Sequence, residues 1–358
     1  MNSDSFNKIR IKDIATLSGV SVGTVDRVIH QRGQVSEENR EKIQKIIDEL
    51  EYKPNMLARS LASKRNYVFV TLLPEYQYDY EYWEAPVRGI QRAWREILDF
   101  NVTVKNLAFN QFKVESFELK CKELLDLSPD AVLLSPVFRK ETIALSQKLN
   151  DLKIPYTFID SNIEELENLC YFGQNSYQSG YLAARLLHMG LAENSVIANI
   201  KSSRAIESNQ LINRESGFFA FFEKNGLKDK FQFIDVMYDL GNDSDRKLQF
   251  DKLFNPNKQI SAAIVFNSRV SEIAAYIESN QLSGIKLIGY DLVQKNAEYL
   301  KKNTVTFLIA QRPEEQGYLG IMSLFNHLVL KQESVKIQYV PIDILTCENL
   351  DYYVKFSK

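Results

Sequence analysis

The chain has 358 residues, 45% of them apolar and 25% charged, with a net charge of −2. That length and balance fit two or three globular domains with large cores and exclude a low-complexity or disordered chain. Three cysteines (Cys121, Cys170, Cys347) and three histidines (His30, His188, His327) lie far apart, which excludes a disulfide framework and a sequence-local zinc site.

The opening stretch MNSDSFNKIRIKD lacks the apolar core of a signal peptide, and no run approaches transmembrane length, so an intracellular protein without membrane contact is expected. Over residues 11–30, Ile14, Leu17, Val20, Val25, Val28 and Ile29 recur at three-to-four spacing and predict two short helices, 11–18 and 21–29. Gly19 can take the left-handed conformation that ends the first, and Ser21 can cap the second. Two short helices around a tight Gly turn make a helix-turn-helix, whose second helix is shaped for the DNA major groove. The same residues spell Gly19-Val20-Ser21-Val22-Gly23, a match to the G-x-S-x-G nucleophile elbow. That elbow needs a strand before it and a sheet beneath it; here a polar helical segment precedes it, so the match carries no catalysis.

A third helix is predicted over 36–50, opened by Ser36-Glu37-Glu38 and presenting Ile43, Ile46, Ile47 and Leu50 on one face. Pro54 breaks it, and residues 55–65 (NMLARSLASKR) hold one or two turns of helix, too short to be stable alone. Residues 1–65 carry 12 Lys and Arg against 9 Asp and Glu, a net of +3, which leaves −5 for the remaining 293. A mildly basic head on an acidic body suits a protein that holds DNA at one end.

From Tyr67 onward short β-rich runs alternate with helical patterns. Ten strands are predicted, at 67–73, 102–108, 131–135, 154–159, 196–200, 231–237, 261–266, 285–290, 304–309 and 335–340. Helices over 82–98, 114–126, 177–189, 209–224, 269–279 and 314–330 lie between them. Such alternation predicts an α/β fold of two subdomains with parallel sheets. Neither G-x-G-x-x-G after the first strand nor G-x-x-x-x-G-K-[ST] occurs, which removes the main sequence support for a nucleotide enzyme.

The strings IKDIATLSGVSVGTVDRVI, VSEENREKI and ELEYKPNMLARSLASKR, in that order ahead of a two-lobed α/β body, resemble the lactose-repressor (LacI/GalR) family of bacterial transcription regulators. The resemblance runs essentially end to end. It implies an all-α helix-turn-helix head (1–53), a hinge helix (54–66) and a periplasmic-binding-protein-like body (67–358). The chain would cross between lobes three times, with an N-lobe of about 67–172 plus 312–331 and a C-lobe of about 173–309 plus 332–358. It further implies a homodimer on a near-palindromic double-stranded operator and a small effector, a saccharide, in the interlobe cleft. A heptad tail is absent after the last strand, so a dimer is expected rather than a tail-zippered tetramer.

By the resemblance Val22 and Gly23 stand where the family touches base edges, with Arg27 one turn on. Val22 offers only apolar contact, such as to a thymine methyl, whereas Arg27 can bond guanine O6 and N7 or clamp a phosphate. Ser21 and Thr24 suit phosphates. Asp26 departs from the family's usual Ser; it can accept from a cytosine amine, hold Arg27 or a neighbour, or face solvent. In the hinge, Asn55, Ala58 and Leu61 are assigned to DNA, with Leu61 at the position of the family's minor-groove wedge.

For the effector, Tyr82 and Trp83 match the aromatics that the family lays over a sugar ring, and Arg214 matches its effector arginine. Asp160, Asn267, Asp291 and Gln311 each follow an apolar strand, the usual cleft position in open α/β sheets. Any one of them also fits a helix cap; together with Arg214 and the aromatics they suit a cage for hydroxyls. No nucleophile sits beside a base, so neither an enzyme nor a cofactor is expected. A regulator sensing a nucleobase or cyclic polyol is the alternative within DNA binding. A transport binding protein is the alternative outside it.

Overall fold

The computed structural model describes residues 10–29, 33, 35–50, 65–76, 81–203 and 209–356. The chain divides into two compact units, Met1–Ser63 and Lys64–Lys358. The predicted hinge residues Asn55, Ala58 and Leu61 lie outside the described residues.

In the first unit three helices, α1 (Ile11–Ser18), α2 (Val22–Ile29) and α3 (Glu37–Glu49), enclose Ile14, Ala15, Val25, Val28 and Ile43. Gly19 ends α1 at φ +70°, a conformation that costs glycine little. Ser21 opens α2: its hydroxyl accepts from the Thr24 N–H at 3.2 Å and lies 2.9 Å from the Thr24 hydroxyl. Ser36 stands at the α3 N-cap without a side-chain bond there. Leu17, expected on the apolar face, is instead 60% exposed. The buried stripe of this eight-residue helix is Ile11, Ile14, Ala15 and Ser18, and Leu17 falls beside it.

The second unit holds two lobes. The first contains β1 (Tyr67–Pro74), α4 (Glu84–Ile97), β2 (Val102–Phe109), α5 (Val114–Asp126), β3 (Ala131–Leu134), α6 (Arg139–Asp151), β4 (Tyr156–Ile159) and β5 (Cys170–Gly173). The second contains α7 (Ser176–His188), β6 (Val196–Ser202), α8 (Asn209–Lys224), β7 (Gln232–Tyr238), α9 (Asp243–Leu253), β8 (Ile260–Val265), α10 (Val270–Ser279), β9 (Lys286–Tyr290), α11 (Gln294–Lys301) and β10 (Phe307–Ala310). The chain returns to the first lobe with α12 (Pro313–Leu328) and β11 (Ile337–Tyr339), then ends in the second with β12 (Asp343–Leu345) and α13 (Leu350–Phe356).

The sheets run β11-β5-β4-β3-β1-β2 and β12-β10-β9-β8-β6-β7, parallel throughout except for the antiparallel β10–β12 pair. Their central strands are buried on both faces, as AVLL in β3 and YTFI in β4 show, and this is why they read as apolar runs without alternation. Twelve strands are described where ten were predicted. β5 is only four residues long and escaped notice. The predicted strand 335–340 shrinks to β11, and β12 was missed.

The expected C-lobe segment 332–358 is also corrected. β11 pairs with β5 in the first sheet, with the Tyr171 N–H donating to the Lys336 carbonyl at 2.8 Å and Val340 N–H to Gly173 at 2.9 Å. The last crossing therefore falls between Tyr339 and Asp343.

Candidate nucleic-acid surface and effector cleft

On the head, the side of α2 turned away from Val25 and Val28 carries Ser21, Val22, Gly23 and Arg27, all exposed, with Thr24 and Asp26 half-buried beside them. Val22 is 43% exposed, and an apolar side chain on the open face of an amphipathic helix is unexplained by the head's own core. The Ser21–Thr24 bond orders the N-terminal turn of α2, the part of a recognition helix that meets base edges.

In the body, each sheet's fourth strand in chain order ends in an aspartate. Asp160 follows β4 and Asp291 follows β9, and both adopt φ +69°. Positive φ is uncommon outside glycine, and its repetition at equivalent places in two lobes marks a shared construction. The neighbouring strand holds each turn: the Asp160 N–H donates to the Phe172 carbonyl and that of Asp291 to Ile309. Asn296 Nδ2 fixes the Asp291 turn through the carbonyls of Tyr290 and Asp291, both at 3.0 Å. Gln316 fixes the other, accepting from the Asp160 N–H at 2.9 Å and donating to the Gln311 carbonyl at 2.6 Å.

A chain of polar side chains joins the two aspartates. Tyr82 Oη donates to Asp160 Oδ1 at 2.7 Å. Gln210 Nε2 stands 3.2 Å from the same oxygen and 3.1 Å from Gln311 Oε1. Gln311 Nε2 then donates to Asp291 Oδ1 at 2.7 Å. Asp160 and Asp291 are only 8% and 6% exposed. Burial raises the pKa of both, that of Asp291 to about 6, against the opposing pull of the Arg214 guanidinium. Burial, with Asp160 next, also holds the Tyr82 hydroxyl well above its usual range.

Arg214 is the least conventional group in the body. It is 1% exposed, donates from Nη1 to the Phe266 carbonyl at 2.7 Å, and lies 4.0 Å over the Tyr290 ring. Its Nε and Nη2 have no hydrogen-bond partner. Charged donors left unpaired in an interior are costly, and such groups cluster where a protein receives something else. The close crossing of α7 and α8 sets its position. A Cβ on Gly180 would overlap the Arg214 carbonyl, and one on Gly217 that of Tyr177, so only glycines let the helices meet there.

Trp83 is buried edge-on to Tyr82 at 5.0 Å between centroids, with Nε1 at 3.4 Å from Gln111. Asn267 acts locally, its Oδ1 accepting from the Arg269 N–H at 3.1 Å ahead of α10. The structure thus brings Tyr82, Asp160, Asp291 and Gln311 into one network that also contains Gln210, which sequence reasoning missed. Gln210 stands four residues before Arg214 on α8, so helical spacing from the arginine was the available signal.

Gln174 was missed as well. From the first crossing its Nε2 donates to the Ala310 carbonyl at 2.7 Å in the second and stands 3.2 Å from Pro341 in the third. One buried amide therefore ties together all three segments that join the lobes.

Two lobes of parallel sheet with a polar cleft at their strand ends define a binding-protein body, here following a helix-turn-helix head. Residues 70–332 match the periplasmic binding protein domain, and residues 10–55 match the lacI family of bacterial regulatory proteins. A solved structure described as a LacI transcriptional regulator from Bacteroides fragilis is 34% identical, with a TM-score of 0.75, over 81% of this chain and all of that one. The ribose operon repressor of Lactococcus lactis is 26% identical over 289 residues, 79% of this chain and 81% of its own. A glucose-galactose binding protein from Geobacillus stearothermophilus shares the body's fold, with a TM-score of 0.70 at 18% identity, over 80% of this chain and 99% of its own. The chain belongs to the lacI family of bacterial regulatory proteins: it is a DNA-binding transcriptional regulator, not an enzyme. No helix among the described residues is long and apolar enough to cross a membrane.

Proposed function

We propose that this regulator binds a near-palindromic operator as a homodimer in the cytoplasm, and that a small neutral saccharide in the interlobe cleft changes its affinity for DNA. The head (1–53) reads bases through Val22, Gly23 and Arg27, supported by Ser21, Thr24 and Asp26. The hinge (54–66) follows the groove with Asn55, Ala58 and Leu61. The body (67–358) holds the effector with Tyr82, Trp83, Asp160, Arg214, Asn267, Asp291 and Gln311.

The observation that carries the cleft is Arg214, a buried cation with two unpartnered donors whose charge acts on two buried carboxylates, Asp160 and Asp291. Ring and hydroxyl oxygens of a sugar suit those donors, its hydroxyl protons suit Asp160 and Asp291, and its C–H face suits Tyr82 and Trp83. One cation against two carboxylates disfavours a phosphorylated or acidic ligand. Relatives named as repressors of a ribose and a sucrose operon support the same class.

A thermal-shift screen of the full chain with D-ribose, D-arabinose, D-galactose, sucrose, myo-inositol and hypoxanthine tests the reading. A sugar should raise the melting temperature of the wild type and leave that of Arg214→Met unmoved. Stabilisation by hypoxanthine alone would transfer the assignment to a nucleobase. For the head, Arg27→Ala should cost about 1–3 kcal/mol on operator DNA and relax preference at one base pair per half-site. Equal loss on every DNA sequence would make Arg27 a phosphate clamp.

A further inference from the structure

Three segments join the lobes, and two of them open a helix. At the first, Asn175 precedes α7 with extended backbone (φ −71°, ψ 95°), and its side chain accepts from the Gln178 N–H at 3.0 Å, an ordinary cap. At the second, Arg312 precedes α12 with φ +47° and ψ 57° and makes no cap bond. Positive φ is uncommon for a residue with a Cβ, and Pro313 further favours extended backbone in the residue before it. The turn at Arg312 is thus opposed by its own sequence, and contacts elsewhere must hold it.

The Arg312 side chain makes those contacts. Nε donates to Asp343 Oδ2 at 2.7 Å and Nη2 to Asp343 Oδ1 at 3.1 Å, a two-pronged pair of fixed geometry. Tyr353 Oη of α13 donates to the same Oδ2 at 2.8 Å, and Nη1 stands 3.5 Å from Glu315 in the first turn of α12. Asp343 opens β12 in the second lobe's sheet, opposite Ala310, whereas Arg312 opens α12 in the first lobe. The pair therefore bridges the lobes at the hinge. The direction in which α12 leaves β10 follows from the Arg312 turn. α12 carries Gln316, which is bonded to the Gln311 carbonyl behind that turn and to the Asp160 N–H ahead of it. With α12 so directed, Gln210 of the second lobe reaches Asp160 of the first, and both cleft aspartates are buried.

We propose that Arg312 is a positioning residue for the effector site: anchored by Asp343 in a turn that its sequence disfavours, it sets the angle between α12 and the second sheet and so closes the lobe of Asp160 against that of Asp291. This role rests on the cleft being the effector site, although neither Arg312 nor Asp343 is among the residues assigned to the ligand. Without the anchor the backbone relaxes toward extended, the lobes part, and water reaches both aspartates. The effector then has to close the lobes at the expense of its own affinity.

Alanine and glycine at one position separate the backbone turn from the charge. Arg312→Ala and Arg312→Gly both delete the anchor, but only glycine keeps a positive φ at little cost. In the full chain, Asp291 is titrated by carboxyl-carbon NMR, its signal assigned by its loss in Asp291→Asn. D-ribose, D-arabinose, D-galactose and sucrose are then titrated by calorimetry. Arg312→Ala should move the Asp291 midpoint down from about 6 toward 3.8, as water reaches the carboxyl. It should also weaken the bound sugar about tenfold, while Arg312→Gly stays within about threefold of the wild type and keeps the midpoint near its original value. Should Arg312→Ala fail to fold, Asp343→Asn carries the same comparison: alone it should lower the midpoint and the affinity, and adding Arg312→Gly should restore both. The proposal is overturned if Asp291 titrates in Arg312→Ala as in the wild type, or if alanine and glycine behave alike. If the titration separates alanine from glycine but none of the four sugars binds the wild type, Arg312 keeps its role and the saccharide reading of the cleft fails.

Discussion

The first lobe orders its strands β2-β1-β3-β4-β5 and the second β7-β6-β8-β9-β10, and each sets an aspartate at φ +69° one residue past its fourth strand in that order. Each also packs the helix after its first strand, α4 or α8, against a helix that has crossed from the other lobe, with paired glycines at the contact: Gly89 with Gly317, and Gly180 with Gly217. What these frames carry differs. Ahead of α4 stand Tyr82 and Trp83; on the first turns of α8 stand Gln210 and Arg214. The scaffold is duplicated and the chemistry is not. Under the proposed assignment, a ligand held by both lobes would meet Tyr82 and Trp83 on one side and the Arg214 cation on the other, which would select for molecules with one C–H face and one oxygen-rich edge.

Removing the cation attacks this division most severely. Arg214→Met keeps most of the buried volume and deletes the two unpartnered donors, so the fold should persist while effector binding falls by at least about 3 kcal/mol, more than 100-fold. Calorimetry on the variant checks this; affinity within about threefold of the wild type would place the ligand elsewhere. The same change should drive the titration of Asp291 above its value of about 6, since the opposing Arg214 charge is gone.

The second test concerns protons. Asp291 is raised from 3.8 to about 6, so between those values the folded state holds a proton that the unfolded chain has released. Its contribution to stability therefore falls as pH rises through that window, by about 3 kcal/mol at most at roughly 1.4 kcal/mol per unit. Denaturant melts at pH 4 and pH 7 should show this slope in the wild type and not in Asp291→Asn. Equal slopes in both would mean that Asp291 is solvated and the second lobe's site is open to water.

A smaller effect is expected from Gln174→Leu, which removes the amide tying the crossings. Leaving the Ala310 and Pro341 carbonyls without that donor should cost about 1–3 kcal/mol, and small-angle scattering should show a broader distribution of lobe separations. An unchanged profile would show that the lobes are held by the cleft network alone.

How far these features could be read in advance depends on the range of the interactions that create them. Gly19 and Ser21 act on their own turn, and β3 and β4 are uniformly buried runs, so both the head and the α/β repeat were legible. Leu17 was misplaced because an eight-residue helix has too few turns to distinguish its buried stripe from the flank. β5 and β12, at four and three residues, exist by virtue of their neighbours, and no local pattern encodes them. In the cleft, strand-end position revealed Asp160, Asp291 and Gln311. Gln174 and Gln316 were silent because their partners lie up to 167 and 156 residues away, and Gln210, bonded across 101 residues, could be reached only through its helical spacing from Arg214.

The coupling of the two units is tested most directly by titrating operator DNA against the full chain at one fixed salt concentration, with and without a sugar that stabilises the body, in the wild type and in Asp291→Asn. A ligand acts on DNA affinity only through the difference between its affinities for two conformations. The wild-type operator affinity should change by about fivefold or more when the sugar is present, while Asp291→Asn binds the operator as the wild type does and ignores the sugar. An operator affinity that stays constant while the sugar demonstrably fills the wild-type cleft would contradict the control of DNA binding by the body.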